Sequence, residues 1–314
     1  MTIPLTCSAS SHAADEQLFA TATRADTWFL LEQPETFGDR ALAASGLPEA
    51  VKQKLETAAG AVPNGGVQLI KRGPGVSPDG RRFFVAVNHE EAPALYEFRL
   101  GRVEDLLDLD LHAIAREDPG YRTHNRTEPL FLVCTNGKRD PCCSSLGLPL
   151  YREMRQALGD AVWQTSHVGG HRFAPNIVAL PSGNFYGYAQ METAMEIAGA
   201  ERAGRIHLPR FRGRSCYAAP VQAADALLRR KTGHTDLLRY RLAEVEMDEE
   251  AAWTCRFEDR FDGTVHCVTI RGEPAAVFIQ KSCREEGPVP LSQFRLEHIE
   301  RIEKIKWSGG VEPA

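Results

Sequence analysis

The chain has 314 residues, 43% of them hydrophobic and 25% charged, and a formal net charge of -5; that length allows about two or three domains with a sizeable core. The mild negative charge offers no field suited to nucleic acid. No stretch is apolar for long enough to span a bilayer, and the opening MTIPLTCSASSHAADE lacks the basic start and apolar run of a signal peptide. A cytoplasmic protein without nucleic-acid or membrane partners is expected, and its eight cysteines, lacking a framework of regular spacings, fit reduced thiols and a cofactor better than disulfides.

In chain order, TWFLLEQPE (27–35) reads as a short buried strand stopped by Pro34. Residues 39–59 have helical spacing, interrupted near Gly46, Leu47 and Pro48. GVQLIKR, RRFFVAV and ALYEFRL follow as strands, and VEDLLDLDLHAI places apolar residues at helical spacing. The segment EDPGYRTHNRTEP, with Pro119, Gly120 and Pro129, breaks regular structure and marks a linker across 115–128. The middle third repeats the plan: PLFLVCTNG as a strand, LYREMRQAL a helix, VWQTSH a strand, NIVALPSG and NFYGYAQ a hairpin, and TAMEIAGAERAG a closing helix.

A strand-helix-strand unit followed by a hairpin and a closing helix is the thioredoxin core. The expectation is therefore an α/β protein with tandem thioredoxin-like units at 1–120 and 121–214 and a C-terminal accessory α+β domain at 215–314. Glu32 ends the first strand of one unit where Cys134 ends that of the other, so only the second unit carries cofactor ligands. Pro175, just before strand NIVAL, takes the place of the cis proline of such folds, and a cis Ala174–Pro175 bond is predicted. In the last third, PVQAADALLRR and TDLLRYRLAEVEM read as helices by period, WTCRFED, GTVHCVTIRG and AAVFIQKSCRE as three successive antiparallel strands, and the terminal SGGVEPA as frayed. Neither G-x-G-x-x-G after a strand nor G-x-x-x-x-G-K-S/T occurs, so no nucleotide cofactor is assigned.

The stretch around which the rest is organised is FLVCTNGKRDPCC, followed by WQTSHVGGHRFAP. Cys134 and Cys143 have eight residues between them, Cys142 is vicinal to Cys143, and His167 and His171 flank Val168, Gly169 and Gly170, where the backbone bends without a Cβ penalty. Two thiolates and two imidazoles make one ligand set, suited to zinc or an iron-sulfur cluster. Structural zinc knuckles place two to four residues between paired cysteines, so an eight-residue gap is wide for one small ion. A two-iron two-sulfur cluster tolerates a looser loop, and replacing two of four cysteines by histidines raises the potential. With neutral imidazoles the oxidised assembly sums to zero charge, which favours accepting an electron. The pattern alone leaves open whether Cys142 or Cys143 binds.

The run CTNGKRDPCC with SHVGGHRFAPNIVALPSG resembles the sucrase/ferredoxin-like family, with weaker likeness in TWFLLEQP, LLDLDL and RGRSCYAAP. The resemblance implies a thioredoxin-like ferredoxin domain in which Cys134, Cys143, His167 and His171 hold a two-iron two-sulfur cluster. The implied function is electron transfer with a redox partner protein or a small donor or acceptor. No carboxylate pair in a glycosidase setting supports the sucrase half of the name. Imidazole ligands add one property: the ring proton can leave on oxidation, so the potential falls as pH rises.

Two other readings compete. In one, Cys143 is the nucleophile of a thiol-disulfide oxidoreductase, with Cys134 or Cys142 resolving. In the other, zinc stabilises an interaction module. Lys138, Arg139 and Arg172 flank the ligands and are candidates to offset charge or steer an acidic partner. Trp163, Phe173 and Phe185 are expected to pack as a dry shell. Arg210, Arg212 and Arg214, on alternate positions, suggest a basic docking edge, and the scattered Cys7, Cys216, Cys255, Cys267 and Cys283 are assigned to packing.

Overall fold

The computed structural model describes residues 6–73, 75, 77, 79–285 and 287–303; the terminal SGGVEPA lies outside them. Long apolar strands such as TWFLLE and LFLVC are buried at every position, the signature of strands covered on both sheet faces. They form the centre of a nine-stranded sheet of order β4-β3-β1-β2-β6-β5-β7-β8-β9. The strands are β1 (Thr27–Glu32), β2 (Gly65–Lys71), β3 (Arg81–Val87), β4 (Ala94–Leu100), β5 (Leu130–Cys134), β6 (Val162–Thr165), β7 (Ile177–Leu180), β8 (Asn184–Tyr186) and β9 (Phe211–Arg214).

The class is mixed α/β, as expected, and the sheet repeats itself. β1 runs parallel to β2 and antiparallel to β3, and β5 runs parallel to β6 and antiparallel to β7. A short antiparallel seam, Ile70 against Thr165 and Lys71 against Gln164, joins the halves. Each parallel pair is bridged by a helix, α2 (Glu49–Gly60) or α4 (Pro141–Leu158), as parallel strands require. In α2, Val51, Leu55 and Ala58 are buried, the inward stripe of an amphipathic helix. Cys134 and Glu32 close corresponding strands, as expected. The Ala174–Pro175 bond is cis, and Leu180–Pro181, not anticipated, is cis as well.

Four local expectations are corrected. The helix anticipated from LYREMRQAL begins nine residues earlier, at Pro141, because Asp140 caps it and Pro141 suits the first helical position; Pro149 falls inside it. The helical segment expected over 39–59 narrows to α2, which starts directly after Pro48. VEDLLDLDLHAI splits into a 3-10 turn, Val103–Asp108, and α3 (Leu111–Ala115), because Asp110 caps a new helix by accepting from the backbone N–H groups of His112 and Ala113. TDLLRYRLAEVEM becomes an edge strand, β10 (Tyr240–Met247). Its leucines mimic helical period, but pairing with β11 (Ala252–Asp259) decides, reinforced by Arg256 between Glu244 and Glu246 at 2.6 and 2.8 Å.

The last two strands are β12 (Val265–Ile279), which absorbs both GTVHCVTIRG and AAVFI, and β13 (Val289–Ile302), which the sequence reading did not anticipate; β10 to β13 make a separate four-stranded sheet. A short N-terminal helix, α1 (Cys7–Ala13), was also unanticipated. α5 (Met191–Arg202) and α6 (Ala219–Thr232) complete the helices. Phe131, Met154 and Ile197 share one core with Val221 and Leu228 of α6 and Phe257, Val268 and Ile270 of the second sheet, each large apolar side chain contributing about 1.5–3 kcal/mol. On the other face, Trp28, Phe84, Leu132, Trp163 and Phe185 pack from both halves around Cys134 and Cys143. Among the described residues no helix is long and apolar enough to cross a membrane.

Candidate metal centre

Cys134 ends β5 with its backbone N–H donated to the Asn176 carbonyl at 3.1 Å. α4 comes down directly onto this strand end: a Cβ on Gly147 would stand 2.2 Å from the Cys134 carbonyl oxygen, so only glycine permits the approach. The start of that helix is fixed by Asp140, whose Oδ1 accepts from the Cys142 backbone N–H at 2.9 Å. Cys142 and Cys143 are therefore successive residues of the first helical turn, about 100° apart around the axis, and they face different partners.

Cys143 turns toward Cys134. The Cys134 and Cys143 Sγ atoms lie 3.9 and 3.7 Å from Nδ1 of His167, and the three donor atoms all fall within 4.8 Å of one another. Cys142 turns away, 3.5 Å from Cys7 Sγ and 3.4 Å from Cys283 Sγ. The geometry thus selects Cys143 over Cys142 as the partner of Cys134.

His167 and His171 are held by the turn between them. Gly169 and Gly170 have φ of 88° and 70°, left-handed conformations that suit glycine. Thr23 Oγ1 donates to the Val168 carbonyl at 2.7 Å and Asn176 Nδ2 to the Gly170 carbonyl at 2.9 Å. Arg212 fastens the turn from behind, donating to Asn176 Oδ1 at 2.8 Å, Gly169 O at 3.3 Å, Thr21 Oγ1 at 3.0 Å and the Thr21 carbonyl, with its guanidinium over Phe173 and Phe185. The two imidazoles stand 5.2 Å apart between centroids. His171 Nε2 is 2.9 Å from the Lys281 carbonyl and 3.8 Å from Asp140 Oδ2, while its Nδ1 is buried without a hydrogen-bond partner among the described residues.

The close packing of these groups perturbs their protonation. Hydrogen bonding from Cys143, resisted by burial and helped by His167, holds the Cys134 thiol well below its usual range, and the same shared proton with burial pushes Cys143 up. Burial lowers His171, which favours the neutral ring, although Asp140 pulls the other way. The Cys142 thiol is lowered to about 6 by its bond from Cys7, which is correspondingly raised. Two buried thiols, one half-buried imidazole aimed between them and a second imidazole with an orphaned buried nitrogen form a donor set that fits an iron-sulfur centre or zinc.

Four other expectations are met or corrected here. Arg212 and Arg214 are 1% and 0% exposed, so the basic docking edge does not exist; both point into the interior, where Arg214 donates to the Glu90 carbonyl at 2.9 Å. Lys138 and Arg139 are exposed, and Arg172 is engaged by Glu16 at 2.8 Å, which leaves Arg212 as the buried cation behind the site, one the sequence reading placed on the surface. Trp163, Phe173 and Phe185 are buried, as expected. Cys7 and Cys283, read as packing residues, instead join Cys142 and Asp140; only the fold brings together residues 276 positions apart.

The sucrase/ferredoxin-like family model matches residues 13–213, a span that holds Cys134, Cys143, His167 and His171 and leaves out Cys7 and Cys283. Over 99 residues the chain is 32% identical to "Altered inheritance of mitochondria protein 32" of Meyerozyma guilliermondii; the match covers 29% of this chain and 33% of that protein, so the chain spans about a third of that relative's length. No solved structure matches. With more than half of its length matched, strands β1 to β8 included, this chain belongs to the sucrase/ferredoxin-like family.

Proposed function

We propose that Cys134 and Cys143 hold one iron, and His167 and His171 the other, of a two-iron two-sulfur cluster, and that the chain is a cytoplasmic electron-transfer protein serving a redox partner protein or a small donor or acceptor. The observation that carries this reading is the convergence of two buried sulfurs on His167 Nδ1, next to a His171 ring whose Nδ1 is buried and unpartnered. When bound, the cluster supplies one-electron redox chemistry. We also read the two halves of the large sheet as tandem thioredoxin-like units, only the second of which has ligands, because their strand orders and directions correspond.

The chain's own residues prepare the site. The Nε2–H of His171 donates to the Lys281 carbonyl, which leaves Nδ1 as the ligating atom, the usual way a backbone carbonyl fixes a histidine ligand. Leu132, Trp163, Val168 and Phe185 keep water from the sulfurs. Arg212 provides a buried positive charge to offset an added electron. With both rings bound to a cluster, each imidazole would still carry one ring proton, and a potential that falls as pH rises is expected; voltammetry between about pH 6 and pH 10 reads this directly.

The test is iron, acid-labile sulfide and the visible spectrum of anaerobically purified protein. About two irons and two sulfides per chain and a brown colour support the proposal. A colourless protein with a reactive thiol in this pair supports thiol-disulfide exchange instead; the shared proton leaves Cys134, and not the Cys143 expected from the sequence, as the attacking thiolate. A colourless protein with zinc on these four residues supports the zinc-stabilised module.

A further inference from the structure

Behind the candidate centre lies a second gathering of ligand atoms. Cys7 from α1, Cys142 and Asp140 from the start of α4, and Cys283 from the segment after β12 each bring one donor, and all four donors lie within 4.8 Å of one another. Cys7, Cys142 and Asp140 are 0%, 1% and 0% exposed, and Cys283 is half-buried. The distances are 3.5 Å for Cys7 Sγ to Cys142 Sγ, 3.4 Å for Cys142 Sγ to Cys283 Sγ and 3.6 Å for Cys7 Sγ to Asp140 Oδ1.

Those lengths are informative. A tetrahedral zinc ion with bonds of about 2.3 Å to sulfur and about 2.0 Å to oxygen separates its ligands by about 3.8 Å for two sulfurs and about 3.5 Å for sulfur and oxygen. Sulfurs spaced at 3.4 and 3.5 Å, with a carboxylate oxygen at 3.6 Å, are close enough to share one ion. The donors, three thiols and a carboxylate, are soft enough to exclude magnesium and calcium.

The surroundings are built for a negatively charged set. Asp140 Oδ2 accepts from the Cys283 backbone N–H at 2.9 Å and from Ser282 Oγ at 3.1 Å, Oδ1 accepts from the Cys142 backbone N–H at 2.9 Å, and the Cys7 backbone N–H donates to Cys283 Sγ at 3.3 Å. The N-terminus of the eighteen-residue α4 adds its positive end to the same spot. Oδ2 is filled by its two donors, whereas Oδ1 takes one backbone N–H and the Cys7 thiol, so loss of the Cys7 proton leaves Oδ1 a lone pair for a metal. Among the described residues, Ala174 is the buried apolar residue clustered with Cys7 and Cys142, and Cys283 packs against them.

We propose that Cys7, Cys142, Cys283 and Asp140 form a structural site for one zinc ion, separate from Cys134, Cys143, His167 and His171. On binding, each thiol that still carries a proton gives it to solvent, and no electron moves. The ion would tie α1 and the end of β12 to the first turn of α4. That segment also carries the Lys281 carbonyl that orients His171, so zinc would hold the second sheet against the candidate redox centre.

The test uses full-length chain purified under reductant, as wild type, as C134S/C143S to remove the other thiols, and as C7S/C283S. Zinc is counted by mass spectrometry after competition with a chromophoric chelator, and the wild type is separately loaded with cobalt(II). The expectation is one zinc retained by C134S/C143S, thiolate-to-cobalt charge-transfer bands in the wild type, and zinc affinity in C7S/C283S reduced by more than the ~100-fold that loss of an outer partner costs. C7S/C283S should keep the iron and sulfide content of the wild type, which separates this site from the proposed cluster; should the cluster itself be absent, zinc on C134S/C143S still decides the matter. Reduced C134S/C143S that retains no zinc overturns the proposal, as does undiminished zinc in C7S/C283S. A Cys142 disulfide to Cys7 or Cys283 in protein that cannot take up zinc after reduction also overturns it. If C7S/C283S fails to fold, the cobalt spectrum of C134S/C143S serves in its place: charge-transfer bands support the site, and their absence rejects it.

Discussion

Cys142 and Cys143 occupy consecutive positions and yet belong to different gatherings, which makes single substitutions diagnostic. Cys143→Ser is expected to abolish bound iron, whereas Cys142→Ser should retain it, because the sulfur of Cys142 faces Cys7 and Cys283. Iron and sulfide assays of both variants check this, and equal loss in the two would contradict the assignment. Gly170 offers a second test. Its φ is 70° and an added Cβ would stand 2.2 Å from Arg212 Nη2, part of a guanidinium that several hydrogen bonds restrain. Gly170→Ala should therefore destabilise the chain by about 2–4 kcal/mol in denaturant titrations and lower its iron content, since the displaced turn carries both histidines. At this scale the sequence was legible where chemistry follows spacing: Cys134, His167 and His171 stand out by residue type and glycine pattern. It was not legible where the answer depends on helix phase or on burial. Nothing in PCC says which sulfur faces inward until the cap at Asp140 fixes the first turn, and Arg212 and Arg214 alternate like an exposed basic edge although both are buried.

Among the elements, α6 and α5 show what buried polar pairs do. Asp225 and Arg229 form an i,i+4 ion pair at 2.8 Å with both side chains 0% exposed, and Arg229 also donates to the Asp236 and Leu237 carbonyls. Asp225→Ala leaves a buried, uncompensated guanidinium and should cost about 3–5 kcal/mol by chemical denaturation; a loss below about 1 kcal/mol would mean that α6 repacks. On α5, Glu201 accepts from Asn184 Nδ2 at 2.7 Å and from the Tyr186 hydroxyl, and burial raises its carboxyl above the usual range although both donors oppose this. A raised folded-state value means that stability is fullest below the unfolded carboxylate value of about 4.3 and is lost as pH rises through the folded value. Glu201→Gln keeps an acceptor oxygen for both donors and removes the charge, so the variant should gain stability relative to wild type between about pH 4 and pH 7. Melting curves of the two proteins at both ends of that range measure the trend; a wild type that gains on the variant as pH rises would contradict it. Periodicity located most strands and helices of the large sheet because their apolar patterns are long. It misread TDLLRYRLAEVEM because an edge strand with exposed side chains has no burial pattern to report, and its ladder with β11 comes from another segment.

Across the whole molecule, the candidate centre sits where the second half of the large sheet meets α1 and the segment after β12. The repeated strand-helix-strand plan was legible from the sequence, since each half is local in the chain. The convergence of Cys7, Cys142 and Cys283 was not, since it spans nearly the full length and depends on how the second sheet docks. The contact between His171 Nε2 and the Lys281 carbonyl predicts a long-range response: loading the cluster should slow amide exchange in residues 167–171 and 280–283 together. Protection confined to the turn would show that the contact does not couple them.

The measurement that bears most directly on the central claim is pulsed electron paramagnetic resonance of the anaerobically prepared, dithionite-reduced chain. The account predicts a two-iron two-sulfur signal with hyperfine coupling to the ring nitrogens of His167 and His171, lost in the H167C/H171C variant. A reduced protein with no iron-sulfur signal, or with one that carries no nitrogen coupling, would contradict it.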